Sequence, residues 1–154
     1  MKFLIYSNNF KSKKETLKFV EFFSIFIKRV FKFFPKGLFI FFSGPFGAGK
    51  TTLIQFIAKN LKIKENLRSP SFIILKTYET KINSTNVKFH HLDLYRIKEK
   101  KEIFTFLKKN FKKNNIFCIE WGENFLSLVK YSFIFKIEFL NLKEGRKIKV
   151  YLKT

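Results

Sequence analysis

The segment Gly44-Pro45-Phe46-Gly47-Ala48-Gly49-Lys50-Thr51 decides the fold of this chain. Its spacing, G-x-x-x-x-G-K-T, is that of the phosphate-binding loop (P-loop) of nucleotide-binding α/β proteins. The apolar run Leu38–Phe42 precedes the loop and is typical of a buried parallel strand, and a helix is predicted from Thr51 to Leu61. Because a strand enters the loop and a helix leaves it, the motif stands in the context that phosphate binding requires.

Each residue type in this loop has a chemical reason to be there. Glycines let consecutive backbone N–H groups point inward around phosphates. We expect Lys50 to reach the β- and γ-phosphates of ATP, and the Thr51 hydroxyl to supply a hard oxygen ligand for Mg²⁺. The other loop residues that we predict to contact ATP are Phe46, Gly47, Ala48, Gly49 and Thr52.

Two carboxylates are candidates for holding Mg²⁺ and for hydrolysis, because P-loop sites place an acid at the end of a neighbouring strand. Glu120 directly follows the apolar run 116–119, and Asp93 lies near the end of a strand predicted over 87–95. We predict that both take part, and the motif leaves open which of them positions the attacking water. His90 and His91 have no cysteine or third histidine at a metal-ligand spacing, so we interpret them as structural or at most as supporting a ligand.

The net charge of +21 at pH 7 suggests a nucleic acid or an anionic membrane as a partner. However, residues with AT-rich codons (Phe, Ile, Lys, Asn, Tyr and Met) make up more than half of the chain, and the lysines are dispersed along it. We therefore attribute most of the charge to drift in base composition. Any RNA binding is then expected to be weak, indifferent to sequence and steeply dependent on salt.

The apolar stretch Leu17–Phe42 raises the question of a membrane span. Six charged side chains and Pro35 interrupt it, whereas a spanning helix needs about 20 nearly uncharged residues. No signal peptide is predicted at the start of the sequence. The one cysteine, Cys118, excludes an internal disulfide, which fits a reducing compartment. We expect a cytoplasmic protein without a membrane partner.

The predicted elements alternate between strands and helices. The capping-box pattern Ser12-Lys13-Lys14-Glu15 predicts the start of a helix that ends at Pro35-Lys36-Gly37. Its apolar surface is interrupted by one predicted polar stripe, formed by Lys18, Glu21, Ser24, Lys28 and Lys32. Further strands are predicted over Lys2–Tyr6, Phe72–Glu79, Val87–Tyr95, Asn115–Trp121, Ser132–Leu140 and Lys147–Leu152, with a loop around Asn83–Asn86 and helices over Glu99–Lys112 and Asn124–Val129.

This order indicates one α/β domain over residues 1–154. We predict a three-layer P-loop NTPase fold with a mostly parallel sheet and helices on both faces. A C-terminal hairpin, joined around Glu144-Gly145, is expected to complete it.

Further motifs follow the loop in a fixed order. They are Ser69-Pro-Ser-Phe72, His91-Leu-Asp-Leu-Tyr-Arg96, Ile119-Glu-Trp121 and Gly145-Arg146. With the P-loop and the early Glu15-Thr16, this order resembles the TsaE (YjeE) family, the bacterial ATPase of tRNA threonylcarbamoyladenosine biosynthesis. The resemblance covers nearly the whole chain, and its specific part is the combination of the aspartate–tyrosine–arginine and glutamate–tryptophan motifs.

The resemblance implies a cytoplasmic, Mg²⁺-dependent ATPase that resets the TsaB–TsaD complex between turnovers and meets tRNA only through that complex. It implies Thr51 and Glu120 as Mg²⁺ ligands and Asp93 as a residue of hydrolysis or coupling. Ser12, Lys13 and Arg146 would lie near the nucleotide base. The residues implied in coupling to the partners are Trp121, Ser71, Tyr95 and Arg96, although Tyr95 and Trp121 could instead pack in the core.

The chain departs from the family pattern at three places. Pro45-Phe46 replaces the usual Asp-Leu, Ser71 stands where Thr is common, and Gly122 stands where Pro is usual. No catalytic group is lost, but Pro45 removes one backbone donor from the loop.

Two other functions remain open at this stage. A small-molecule P-loop kinase would use the same ATP site but generally needs a basic lid, and the chain has only four arginines. A basic RNA-binding module with a vestigial nucleotide site would not need an intact Lys50, Thr51 and Glu120.

Overall fold

The computed structural model describes residues 2–34, 36–65, 67, 70, 74–97, 100–110, 112–129 and 134–153. The strands within these ranges are β1 (Lys2–Phe10), β2 (Leu38–Ser43), β3 (Leu75–Ile82), β4 (Thr85–Asp93), β5 (Asn115–Glu120), β6 (Ile134–Asn141) and β7 (Arg146–Lys153). The α-helices are α1 (Lys13–Val30), α2 (Lys50–Asn60) and α3 (Lys100–Asn110), and shorter 3₁₀ helices span Phe31–Phe33 and Glu123–Val129.

The described strands form one sheet in the order β1-β7-β6-β2-β5-β4-β3. The four central strands, β6, β2, β5 and β4, pair in parallel. The outer strands β3, β7 and β1 pair antiparallel with their neighbours. The predicted α/β fold with a C-terminal hairpin is confirmed. Parallel pairing is confined to the centre of the sheet, and three of the six pairings between the described strands are antiparallel.

Apolar side chains cover both faces of the sheet. On one face, α1 and α2 contribute residues such as Phe23, Ile27 and Ile57 to one buried cluster. On the other, Ile103 and Leu107 of α3 join a second buried cluster. Every residue of β2 and β5 is buried, as expected for parallel strands between two helical layers.

Helix α1 begins as the sequence predicts. The Ser12 hydroxyl accepts a hydrogen bond from the Glu15 backbone N–H at 3.2 Å, and the Glu15 carboxylate accepts one from the Lys11 N–H at 2.8 Å. The first bond satisfies a donor that a helix start leaves open, and the second ties the residue before the cap to the first turn. None of the helices in the described ranges is long and apolar enough to cross a bilayer.

The predicted polar stripe of α1 is wrong in part. Ser24 is buried, whereas Phe22 and Ile25 are 63% and 51% exposed. The buried residues are Thr16, Phe19, Val20, Phe23, Ser24 and Ile27. Ser24 lies inside this run of three- and four-residue steps, so its position on the helix, rather than its polarity, decides its burial.

The loop predicted around Asn83–Asn86 is present but shorter than predicted. Asn83 and Ser84 form a tight turn with φ angles of 49° and 65°, and β4 already begins at Thr85. Positive φ at both central residues is the geometry that joins antiparallel strands most closely. The start predicted for the preceding strand, at Phe72, lies outside the described residues.

His90 lies on the face of β4 that α3 covers. It is buried, its ring stacks on Phe117 with centroids 4.7 Å apart, and its Nδ1 lies 2.9 Å from the Thr77 hydroxyl. Burial, with a smaller contribution from the Lys88 charge, lowers the pKa of His90 to about 4. The folded protein therefore holds this imidazole neutral at pH values where an unfolded chain would protonate it.

We expect His90 to make the fold sensitive to mild acid. Between pH 7.5 and 5 the unfolded chain binds a proton at this residue and the folded chain does not, which should lower the free energy of unfolding by about 2 kcal/mol. Urea unfolding at both pH values, on the wild type and on His90→Gln, measures this. The same loss of stability in both proteins would show that another group is responsible.

Candidate nucleotide-binding site

The loop between β2 and α2 has a backbone that only glycine adopts easily. Gly44, Gly47 and Gly49 have φ angles of 138°, 70° and 96°. A Cβ on Gly44 would approach the backbone oxygen of Phe139 to 2.8 Å, and one on Gly49 would overlap the guanidinium of Arg146. The backbone conformation thus favours glycine at all three positions, and at Gly44 the close packing against Phe139 requires it as well.

Lys50 begins α2 and is buried inside the loop. Its ammonium donates hydrogen bonds to the carbonyl oxygens of Gly44 and Pro45, each at 2.8 Å, and lies 4.0 Å from the centre of the Trp121 ring. Burial lowers the pKa of Lys50, and the charges of Glu120, Glu123 and Asp93 oppose that shift. The ammonium and the amino end of α2 together create a positive region at the mouth of the loop.

Glu120, at the end of β5, directly contacts the first turn of α2. The Thr51 hydroxyl lies 2.8 and 2.9 Å from its two carboxylate oxygens. Asp93, at the end of β4, is the backbone neighbour of Glu120 across the parallel pair. The structure thus places Thr51, Glu120 and Asp93 at one edge of the sheet. Their oxygens are of the type that Mg²⁺ prefers.

The sequence left open whether His91 is purely structural or supports a ligand, and the structure shows His91 in contact with the candidate ligand Glu120. Its Nε2 lies 2.9 Å from Oε1 of Glu120, and both side chains are buried. A signal for this contact was present. In a strand, side chains two positions apart share a face, so His91 lies on the same face as Asp93. The parallel register with β5 then brings that face to Glu120.

A cavity of about 370 Å³ opens beside the loop, on the side away from Glu120. The predicted residues Ser12, Lys13 and Arg146 line it, together with Gly47, Gly49 and Thr52 of the loop and its helix. Arg146 also donates a hydrogen bond from Nη1 to the carbonyl oxygen of Ala48 at 2.9 Å. The cavity therefore adjoins the phosphate loop, where the rest of a nucleotide would extend.

The sequence prediction missed Phe10, Thr16 and Phe56, which also line this cavity. Helical spacing could have indicated Phe56, because it follows Thr52 by four residues and so shares its face of α2. Larger cavities of about 870 and 640 Å³ lie elsewhere, the first among lysines at the opposite end of the sheet and the second between β1 and α1. Chemistry rather than size therefore singles out the loop region.

Three aromatic side chains meet at the Lys50 side of the loop. Phe46 is 64% exposed and Tyr95 55% exposed, and Trp121 is half-buried. Their ring centroids lie 4.7 to 5.2 Å apart. Trp121 is therefore not a core residue, and its φ of 57° shows that the chain turns sharply directly after Glu120. Arg96 lies in the exposed turn that follows Tyr95, and Ser71 lies outside the described residues.

Comparisons with known proteins agree on one family. Residues 11–148 match the family model described as threonylcarbamoyl adenosine biosynthesis protein TsaE. Two curated relatives are named tRNA threonylcarbamoyladenosine biosynthesis protein TsaE. The one from Borreliella burgdorferi is 32% identical over 143 residues, which cover 92% of this chain and 96% of the relative. The one from Aquifex aeolicus is 35% identical over 112 residues, 71% of this chain and 74% of the relative.

A solved structure supports the fold. The crystal structure of YdiB from Bacillus subtilis superposes with a TM-score of 0.66 and covers 98% of this chain and 85% of that chain, at 20% identity. This likeness concerns the fold alone. The family match over residues 11–148 and the two curated relatives show that the chain belongs to the TsaE family of tRNA threonylcarbamoyladenosine biosynthesis.

Proposed function

We propose that this chain is a Mg²⁺-dependent ATPase of the cytoplasm. It acts with TsaB and TsaD in the threonylcarbamoyladenosine modification of tRNA, and its hydrolysis of ATP resets their complex between turnovers. The observation that carries the ATPase assignment is the contact of Thr51 with both carboxylate oxygens of Glu120. It joins the P-loop to an acid 69 residues further along the chain, at the mouth of a positively charged loop.

The loop residues have separate tasks in this proposal. The backbone N–H groups of the loop and the amino end of α2 bind the phosphates, and Lys50 turns its ammonium from the loop carbonyls towards them. Thr51 and Glu120 would hold Mg²⁺, which neutralises charge on the phosphate oxygens when it is bound. Asp93, next to Glu120 in the sheet, is the second acid available to orient water.

The neighbouring cavity is suited to the remainder of the nucleotide. Phe56 offers an aromatic face with the Lys13 ammonium 5.7 Å from its centre, and Ser12 supplies a hydroxyl. Arg146 bridges this cavity and the loop through its hydrogen bond to Ala48. We assign the cavity to the base and ribose of ATP.

The aromatic cluster of Phe46, Tyr95 and Trp121 is the proposed point of coupling to TsaB and TsaD. The Trp121 ring lies 4.0 Å from the Lys50 ammonium, which has to move when phosphates bind, and it contacts Phe46 and Tyr95, which are both more than half exposed. A change of nucleotide at the loop can therefore alter a surface that a partner touches.

Removing the loop ammonium should weaken ATP binding. Lys50→Ala deletes the cation that faces the phosphates, and we expect the affinity measured by calorimetry to fall at least about tenfold, or about 1.4 kcal/mol. Lys59→Ala, at the exposed far end of α2, is the matched control and should bind as the wild type does. Equal affinities in Lys50→Ala and the control would refute the phosphate role of Lys50.

Removing the charge of Glu120 should affect hydrolysis more than folding. Glu120→Gln keeps the size of the side chain, and we expect ATPase activity in the presence of TsaB and TsaD to fall about 100-fold or more. Glu79→Gln, on the exposed surface of β3, serves as the control. A folded, ATP-bound Glu120→Gln protein that hydrolyses at the wild-type rate would contradict the proposed site.

Replacing Trp121 should uncouple the protein from its partners. Trp121→Phe retains an aromatic face for Lys50 but loses the larger ring and its N–H, so ATP affinity and melting temperature should stay near wild type. Partner-stimulated hydrolysis and multi-turnover tRNA modification should decrease. Phe22→Leu changes an exposed aromatic residue of α1 and controls for general surface effects. Full activity of Trp121→Phe would remove the coupling role.

A further inference from the structure

We propose that His91 is a positioning residue for Glu120. Its imidazole holds one carboxylate oxygen of Glu120 and leaves the other directed to the Mg²⁺ of Mg-ATP. The inference rests on the proposed function, since it concerns the same acid. It assigns a task to a histidine whose sequence context shows no metal-binding pattern. The inference is based on two hydrogen-bond donors, His91 and Thr51, which lie on different elements and both contact the buried carboxylate of Glu120.

The two carboxylate oxygens of Glu120 have different surroundings. Oε1 lies 2.9 Å from His91 Nε2 and 2.8 Å from the Thr51 hydroxyl, and Oε2 lies 2.9 Å from that hydroxyl. The side chains of His91 and Glu120 are 0% and 3% exposed. From the side of the sheet, His91 therefore contacts one carboxylate oxygen only. From the side of the loop, the Thr51 hydroxyl contacts both.

The chemistry of the pair determines which ring nitrogen carries the proton. An ionised carboxylate can only accept hydrogen bonds, so His91 must donate through Nε2–H. Its Nδ1 is buried and has no hydrogen-bond partner among the described residues. The Nε2–H tautomer leaves an acceptor at that position, whereas a second N–H there would be a buried donor without a partner. His91 thus offers one donor in one direction.

The position of His91 in the sheet keeps that donor fixed. It lies within β4, paired to β3 on one side through Lys76 and to β5 on the other through Cys118. A fully buried side chain on a strand that is paired on both sides has little freedom to rotate. Thr51, by contrast, is expected to turn its hydroxyl oxygen towards the metal when Mg-ATP is bound. The contact from His91 is then the one that keeps the carboxylate oriented.

A purely structural role of His91 predicts a different result. A buried histidine–carboxylate pair can contribute only to stability, and its loss would then weaken the fold without a specific effect on the metal. The dependence of ATP binding on Mg²⁺ separates the two roles, because a positioning residue should act on that dependence alone.

The test compares His91→Leu, which lacks a donor, with His91→Gln, whose side-chain amide can reach the same oxygen. ATP affinity is measured by calorimetry in EDTA and at a series of Mg²⁺ concentrations. We expect His91→Leu to bind ATP in EDTA within about twofold of wild type but to need at least about tenfold more Mg²⁺ for the half-maximal effect. His91→Gln should restore most of that loss.

His90→Leu is the matched control, because it removes the adjacent buried histidine, which faces the opposite side of the sheet and contacts Thr77 instead. Its melting temperature should fall while its Mg²⁺ dependence stays that of the wild type. If His91→Leu does not fold, His91→Asn replaces it, since that shorter amide does not reach Glu120 and should show the same Mg²⁺ defect beside an intact His91→Gln.

Two results would overturn the inference and leave the proposed function standing. One is a wild-type Mg²⁺ dependence in His91→Leu, or in His91→Asn where it replaces the leucine variant. The other is a loss of ATP affinity of equal size in EDTA and in Mg²⁺. A wild-type protein that binds ATP with no Mg²⁺ dependence at all would overturn both the inference and the metal role of Glu120.

Discussion

The parallel pairing of β2 and β5 is the constraint from which the remaining architecture follows. Both strands are buried along their whole length, and Phe39 stacks on Phe117 across the pair with ring centroids 4.5 Å apart. Neighbouring parallel strands end at the same edge of a sheet, so Phe42 lies opposite Glu120. The strand pairing alone therefore brings the phosphate loop next to Glu120. The hydrogen bond between Thr51 and Glu120 refines a position that apolar packing already imposes.

The site combines groups that an apolar core would otherwise exclude. Lys50, Glu120 and His91 are buried next to strands made of phenylalanine and isoleucine. Burying charged groups costs stability unless partners compensate, and here the partners are loop carbonyls, a hydroxyl and an imidazole. The other buried polar side chains among the described residues, such as Ser24, His90 and Asn115, are uncharged and lie on several different elements, whereas Lys50 and Glu120 bring buried charges together at one edge of the sheet. Such a local departure from apolar patterning is typical of functional sites.

The features that sequence analysis predicted correctly depend on residues close together in the chain. The loop glycines, the capping box at Ser12 and the terminal hairpin each have a local physical cause, and the structure reproduces them. The features that the sequence left open or predicted wrongly arise where the distance in sequence is large or where packing determines orientation. The contact of His91 with Glu120 depends on the register between β4 and β5, and the burial of Ser24 depends on the rotation of α1 against the sheet. The connection at Asn83–Ser84 was predicted too long because two polar residues fit a tight hairpin as well as they fit a longer loop.

The pairing of β1 with β7 determines when the site can be completed during synthesis. Phe10 lies opposite Arg146 in this pairing. Both residues line the cavity beside the loop, as does Ser12, which follows β1. The two strands are separated by most of the chain, so β1 leaves the ribosome long before the strand that holds it in the sheet. The phosphate loop and Glu120 can be in place earlier, because β2 and β5 both precede β7. Closure of the longest-range contact is the slow kind of folding step, and in this protein it is also the step that adds Arg146 to the lining of the cavity beside the loop.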